Sequence, residues 1–174
     1  MSRPPRKLES EEDLYAAAVG ALARRAHSVY EMRTYLERRA DDADAVKRVL
    51  ARLKERNYLD DERYARQFAS HRSRSRHQGR YRIARELRTR GVPDRHIETA
   101  LAELAKQTDE GGEVRRQIAR RIKNLRGALD QRRMASLQRS LLRAGFSSDA
   151  IRAGIRAIAK EDVPEMIGEH GEDE

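Results

Sequence analysis

The sequence contains no cysteine and no tryptophan, and only 2 of its 174 residues are phenylalanine. Without thiols there is no disulfide scaffold, no thiolate metal site and no cysteine nucleophile, and a reducing, cytoplasmic setting is the expectation. Long apolar runs are also missing. No stretch approaches the roughly 20 residues a membrane helix needs, and Arg3, Arg6 and Lys7 are not followed by the apolar core of a secretion signal. Strand signals are absent too: there is no long alternation of β-branched residues and no Asn-Gly turn.

The chemistry of catalysis is equally thin. There is no nucleophile elbow, no P-loop and no dinucleotide-binding glycine pattern. The five histidines, His27, His71, His77, His96 and His170, form no pair at metal-ligand spacing. His71 falls beside Tyr64 and Phe68 on a helical wheel, where a packed, hydrogen-bonded core histidine is expected. Asp60, Asp61 and Glu62 form a carboxylate cluster, but it stands at a helix start, where acids satisfy free backbone N–H groups. These absences point away from an enzyme and call for no cofactor and no metal.

What the chain has in abundance is charge. There are 38 Lys/Arg against 29 Asp/Glu, a net charge of +9, with 39% of residues charged and 38% apolar. That balance suits thin amphipathic helices better than one thick core. The charge is unevenly placed: residues 63–143 hold 22 Lys/Arg against 8 Asp/Glu, whereas residues 161–174 hold 7 acids and no Lys/Arg. A basic middle of this kind calls for a polyanionic partner. The acidic end is expected to be a flexible, solvated tail.

Under the charges lies a repeat. The positions Met32, Leu36, Ala40, Val46, Leu50 and Leu53 recur with the same steps as Ile83, Leu87, Gly91, Ile97, Leu101 and Leu104, and again as Leu137, Leu141, Gly145, Ile151, Ile155 and Ile158. Steps of 3 and 4 line one face of a helix, and the central step of 6 spans a turn between two helices. Gly91 and Gly145 sit where the earlier helix stops, in the place of a left-handed C′ residue. The first copy has Ala40 there, so its turn is expected to differ. Asp42, Pro93 and Ser147 open the following helices, and Ser28 with Glu31 is a capping box.

A third helix precedes each pair. Its stripes are Tyr15, Val19 and Leu22, then Tyr64 and Phe68, then Val114, Ile118, Ile122 and Leu125. The reading is an all-α chain of three tandem three-helix repeats, at 11–57, 58–107 and 109–160, in an elongated, curved array. Flexible segments at 1–10 and 161–174 flank it. Each unit is too small to bury much apolar area alone, so contact between neighbours should matter.

The faces opposite the apolar stripes carry the candidate binding residues. They are Arg63, Arg66 and Arg74 on one helix, and Tyr81, Arg85 and Arg88 on the next. The third unit adds Arg116, Arg120 and Lys123, and then Arg132, Arg139 and Arg143. Arginine dominates, and its planar fork grips carboxylate or phosphate in bidentate fashion at any working pH. Acidic protein surfaces and nucleic-acid backbones both fit. A free-standing basic helical DNA-binding protein, holding phosphates without sequence preference, is one reading of these faces.

The segment 58–68 (YLDDERYARQF) closely resembles a signature of the RecX family, as does 79–92 (GRYRIARELRTRGV). Arg24, Arg25, Ala26, His27 and Ser28, with Glu31 and Leu36, resemble that family's first helical pair. The likeness covers about residues 12–158. It implies a modular helical fold and a regulator of RecA that lies in the groove of the RecA–DNA filament. It further implies suppression of filament extension, ATP hydrolysis and strand exchange, with effects on recombination and the SOS response. A monomer is expected, with the nucleotide belonging to RecA.

Overall fold

A computed structural model of the chain describes residue 8 and residues 10–123 and 130–161, with side chains through residue 157. Nine helices and no strand occur among the described residues. They are α1 (Glu11–Arg24), α2 (Val29–Glu37), α3 (Ala43–Glu55), α4 (Asp61–Arg76), α5 (Arg80–Thr89), α6 (Asp94–Gln107), α7 (Glu110–Lys123), α8 (Gln131–Ala144) and α9 (Ser148–Glu161). None of them is long and apolar enough to cross a membrane.

The helices form three groups, each around its own apolar cluster. Leu14, Met32, Leu36, Val49 and Leu53 centre the first, Ile83, Leu87 and Ile97 the second, and Val114, Ile118 and Leu141 the third. In the second and third groups the outer helices pack most closely, α4 on α6 and α7 on α9. The helix starts obey their local chemistry. Ser28 and Glu31 exchange both bonds of a capping box, Asp42 accepts the Asp44 N–H at 2.8 Å, and Asp60 accepts the Arg63 N–H at 2.9 Å. The Ser147 hydroxyl accepts the Ala150 N–H at 3.2 Å.

The helix ends divide as the repeat predicts. Gly91 and Gly145 take φ of +68° and +91°. The next residue donates to the carbonyl five residues back, Val92 to Leu87 and Phe146 to Leu141, each at 3.2 Å. Val92 and Phe146 are buried, completing the apolar contact such ends favour. Ala40 leaves the left-handed region unused; its N–H donates to Leu36 at 2.9 Å, and the chain turns without a positive φ.

Two apolar assignments need correction. The core face of α1 is Leu14, Ala18 and Ala21, while Tyr15 and Leu22 are half-buried and Val19 is exposed. Alanine buries completely against a neighbouring helix, so the large side chains were free to face elsewhere. His71 is exposed rather than packed, with Ser75 at 3.5 Å; among the described residues the buried histidine is His27. Leu125, residues 1–7 and 9, and the acidic stretch 162–174 lie outside the described residues.

Bonds between units join the helices end to end. The Ser28 hydroxyl at the start of α2 donates to the Arg90 carbonyl at the end of α5, at 2.6 Å. The N–H groups of Gly79 and Tyr81 at the start of α5 donate to the Ala144 and Gly145 carbonyls at the end of α8, at 2.8 and 3.1 Å. Gly79 has no side chain with which to cap α5, and the neighbouring unit supplies the oxygen instead. Asp61 crosses between units as well, accepting the Val29 N–H at 2.9 Å.

Candidate interaction surface

Among the described residues, no three His, Cys, Asp or Glu side chains are grouped to hold a metal ion. The candidate geometry is that of the exposed cations and of the clefts where units meet.

The structure sorts the sequence-predicted cations into two sets. Arg66 is bound to Glu62 and lies 3.6 Å from Glu103. Arg88 is bound to Asp94 at 2.7 Å and Arg116 to Glu113 at 2.9 Å. Arg63 donates to the Asn57 carbonyl. These four are exposed but already engaged. Arg74 and Arg85 in the second unit, and Arg120, Lys123, Arg132, Arg139 and Arg143 in the third, are exposed with no carboxylate partner among the described residues. Exposed pairs contribute little to stability and are readily exchanged for an outside anion, but the unpaired set meets such an anion without first breaking a bond.

Arg72 and Arg82 serve the fold instead, flanking Glu86 at 3.3 and 3.1 Å. Burial raises the Glu86 pKa, but Arg82, Arg72 and the Gln78 amide outweigh it and hold the carboxyl below its ordinary value.

Clefts open along the junctions, two of them beside a helix start. The first, of about 500 Å³, lies between α2 and the start of α6 and includes Tyr30, Arg33, Lys54 and Arg95. The second, of about 610 Å³, lies where α5 meets α8 and α9 and includes Arg80 and Tyr81. Tyr30 and Tyr81 are 53% and 55% exposed, so each presents about half its surface to solvent in its cleft. Each is the second residue of its helix, 51 positions apart in the repeat. Tyr81 was evident from the sequence as a candidate; Tyr30 was missed, although the repeat itself marks it.

Behind the first cleft, Glu31 joins the units. It accepts the Ser28 N–H at 3.1 Å and the Tyr64 hydroxyl at 3.2 Å, and pairs with Arg25 at 3.3 Å. Burial raises its pKa, but the Ser28 N–H and Arg25 outweigh that and leave it lowered. Burial is also the main cause of the lowered His27 pKa; its Nδ1 donates to the Arg25 carbonyl at 2.9 Å, which fixes the neutral tautomer. Both groups bind protons less readily folded than unfolded. Their stabilisation is therefore complete above the ordinary values of 6.5 for the histidine and 4.5 for the glutamate, and it is lost as acid titrates each through its lower folded value. The melting temperature is expected to fall as pH drops below 6.5, with a second loss below 4.5. His27→Asn, which keeps a donor for Arg25, should flatten only the first step. A wild-type melting temperature constant from pH 7 to 5 would contradict this.

Comparison with known proteins gives a consistent result. Residues 15–53 match the family model described as RecX, first three-helix domain, and residues 60–101 match RecX, second three-helix domain. The chain is 36% identical over 135 residues to the regulatory protein RecX of Prosthecochloris aestuarii, covering 78% of this chain and 86% of that one. It is 37% identical over 154 residues to that of Halorhodospira halophila, covering 88% and 92%. The crystal structure of RecX from Lactobacillus salivarius superposes with a TM-score of 0.73 at 20% identity, covering 86% of this chain and 97% of that one; this likeness speaks for the fold.

Proposed function

Because the chain belongs to the RecX family of regulatory proteins, we propose that it restrains a RecA recombinase by lying along the groove of the RecA–DNA filament. There it opposes filament extension, ATP hydrolysis and strand exchange, and so tunes recombination and the SOS response. The observation that carries this reading is the unpaired cationic set, Arg74, Arg85, Arg120, Lys123, Arg132, Arg139 and Arg143, spread over two successive units rather than gathered on one helix. Cations distributed in this way suit a long anionic assembly better than a compact ligand.

In this reading the units span 11–57, 58–107 and 109–160, and a curved array of them follows the groove and touches several subunits at once. Each contact after the first forms at high effective concentration, so weak individual contacts add to firm binding. Bridged subunits are held at one spacing, which opposes the motions coupled to ATP turnover. The chain acts as a cytoplasmic monomer with no chemistry of its own, and RecA supplies the nucleotide.

Added to RecA on single-stranded DNA, the protein is expected to slow ATP hydrolysis at less than equimolar amounts. No slowing at an equimolar ratio would defeat the proposal. Arg85→Glu combined with Arg139→Glu should weaken inhibition by roughly tenfold, since each lost surface pair is worth up to about 1 kcal/mol. Arg88→Ala and Arg116→Ala, at positions already paired internally, should change it far less. Inhibition constants that rank the two sets the other way would reject this division of the surface.

A further inference from the structure

We propose that Tyr30 and Tyr81 are equivalent base-stacking platforms, one at each junction between units, and that together they bind the unpaired bases of a single nucleic-acid strand. This stands apart from the filament reading, since it requires no recombinase.

Three observations converge on it. The two rings occupy the same place in the repeat, the second residue of the helix, and are exposed to the same degree. Large apolar rings half in solvent forgo burial that a helical repeat offers elsewhere, and here this happens at equivalent positions in successive units. The rings are also firmly set. Gly91 of the next unit lies so close to Tyr30 that a methyl group on it would collide with the tyrosine Cβ and Cγ. The Tyr81 N–H is tied to the Gly145 carbonyl at 3.1 Å, and its hydroxyl accepts from Arg80 at 2.8 Å. In both cases the backbone beneath the ring is set against the glycine that ends the neighbouring helix.

Cations flank both rings. Arg33 and Lys54 line the Tyr30 cleft as exposed side chains without a carboxylate partner among the described residues, and Arg95 donates to His96 at 3.3 Å. The Arg80 guanidinium lies 4.8 Å from the centre of the Tyr81 ring. Carboxylates are present in both clefts, but each is occupied. Asp60 and Asp61 accept backbone N–H groups, Glu110 accepts the N–H and hydroxyl of Ser147, and Asp149 is paired with Arg152. An aromatic face beside cations, free at Tyr30 and held to the ring and its hydroxyl by Arg80 at Tyr81, matches a base and its phosphate, and stacking tolerates any base because every base has a π face. An acidic peptide would satisfy the cations and leave the rings unused. A duplex hides its base faces and would do the same.

The test is binding of the full chain to fluorescent oligo-dT, to an abasic strand of equal length and to a duplex, followed by anisotropy across a salt series. Tyr30→Leu and Tyr81→Leu keep a Cβ and apolar bulk against the glycine-ended helices while removing the π face, and circular dichroism checks their helicity. Each is expected to weaken oligo-dT binding roughly tenfold, with the salt slope unchanged and little effect on the abasic strand. The double variant should lose the product of the two. Arg33→Ser with Arg95→Ser should instead lower the salt slope by about 0.7 for each phosphate no longer neutralised. Equal binding of oligo-dT by wild type and double variant, equal losses on abasic and normal strands, or binding of a polyglutamate peptide with none of oligo-dT would each overturn the proposal.

Discussion

Leu87→Asp is expected to unfold the second unit, while Arg85→Glu, two residues earlier on the same helix, should leave the fold intact. The Leu87 side chain is fully buried among Ile83, Val92 and Ile97. A carboxylate placed there has no partner, and such a charge costs several kcal/mol. A whole domain is stable by only about 5–15 kcal/mol. The loss should spread beyond the second unit, because α5 holds the ends of both junctions through Arg90 and Gly79. Arg85 is exposed and unpaired, and a substitution there should alter stability by about 0.5 kcal/mol or less. Helical circular dichroism and urea titration separate the two. Equal loss of helicity in both variants would show that the buried and cationic faces of α5 had been confused.

Gly79→Ala should undock the third unit from the second. The φ of Gly79 is −80°, which any residue tolerates, so the demand for glycine is one of space. A methyl group there would run into the Gly145 carbonyl, which is backbone and cannot rotate aside. Overpacking of this kind costs about 1–3 kcal/mol. Loss of the Gly79 and Tyr81 hydrogen bonds adds about 0.5–1.5 kcal/mol each. Urea unfolding is expected to separate into two transitions, with faster hydrogen exchange at the Tyr81 amide. Gly20→Ala is the natural control: its added carbon meets only the Arg24 side chain, at 3.9 Å within α1. It should stabilise by about 0.5–1 kcal/mol. A single transition at an unchanged midpoint in Gly79→Ala would mean that the units are not coupled through this junction.

The architecture was readable in the sequence wherever the cause was local. Side chains three and four apart must share a helix face, so Met32, Ile83 and Leu137 announced the second helices. Gly91 and Gly145 announced helix ends because few other residues accept a positive φ. The capping box at Ser28 and Glu31 needs only four consecutive residues. Reading failed where the partner lies far along the chain. Glu103 reaches back to Arg66, and Asp61 serves Val29 in another unit. Gly79 looks like an uncapped helix start until Ala144 is placed beside it. The α1 stripe differs for another reason: Tyr15 and Val19 have the size of core residues, but small Ala18 and Ala21 take the buried side. The cationic surface was therefore visible in outline, but the split between engaged and free arginines needed coordinates.

The end-to-end joining of α8, α5 and α2 has one more consequence. Each junction sets the electronegative tail of one helix against the electropositive head of the next, so partial charges of about half an electron cancel there. What survives uncancelled is the head of α8, where Asp130 accepts the Arg133 N–H, and the tail of α2, where the Leu8 N–H meets the Arg39 carbonyl. The protein has a front and a back, and on any track that itself has a direction, the two ways of laying it down are not equal in energy.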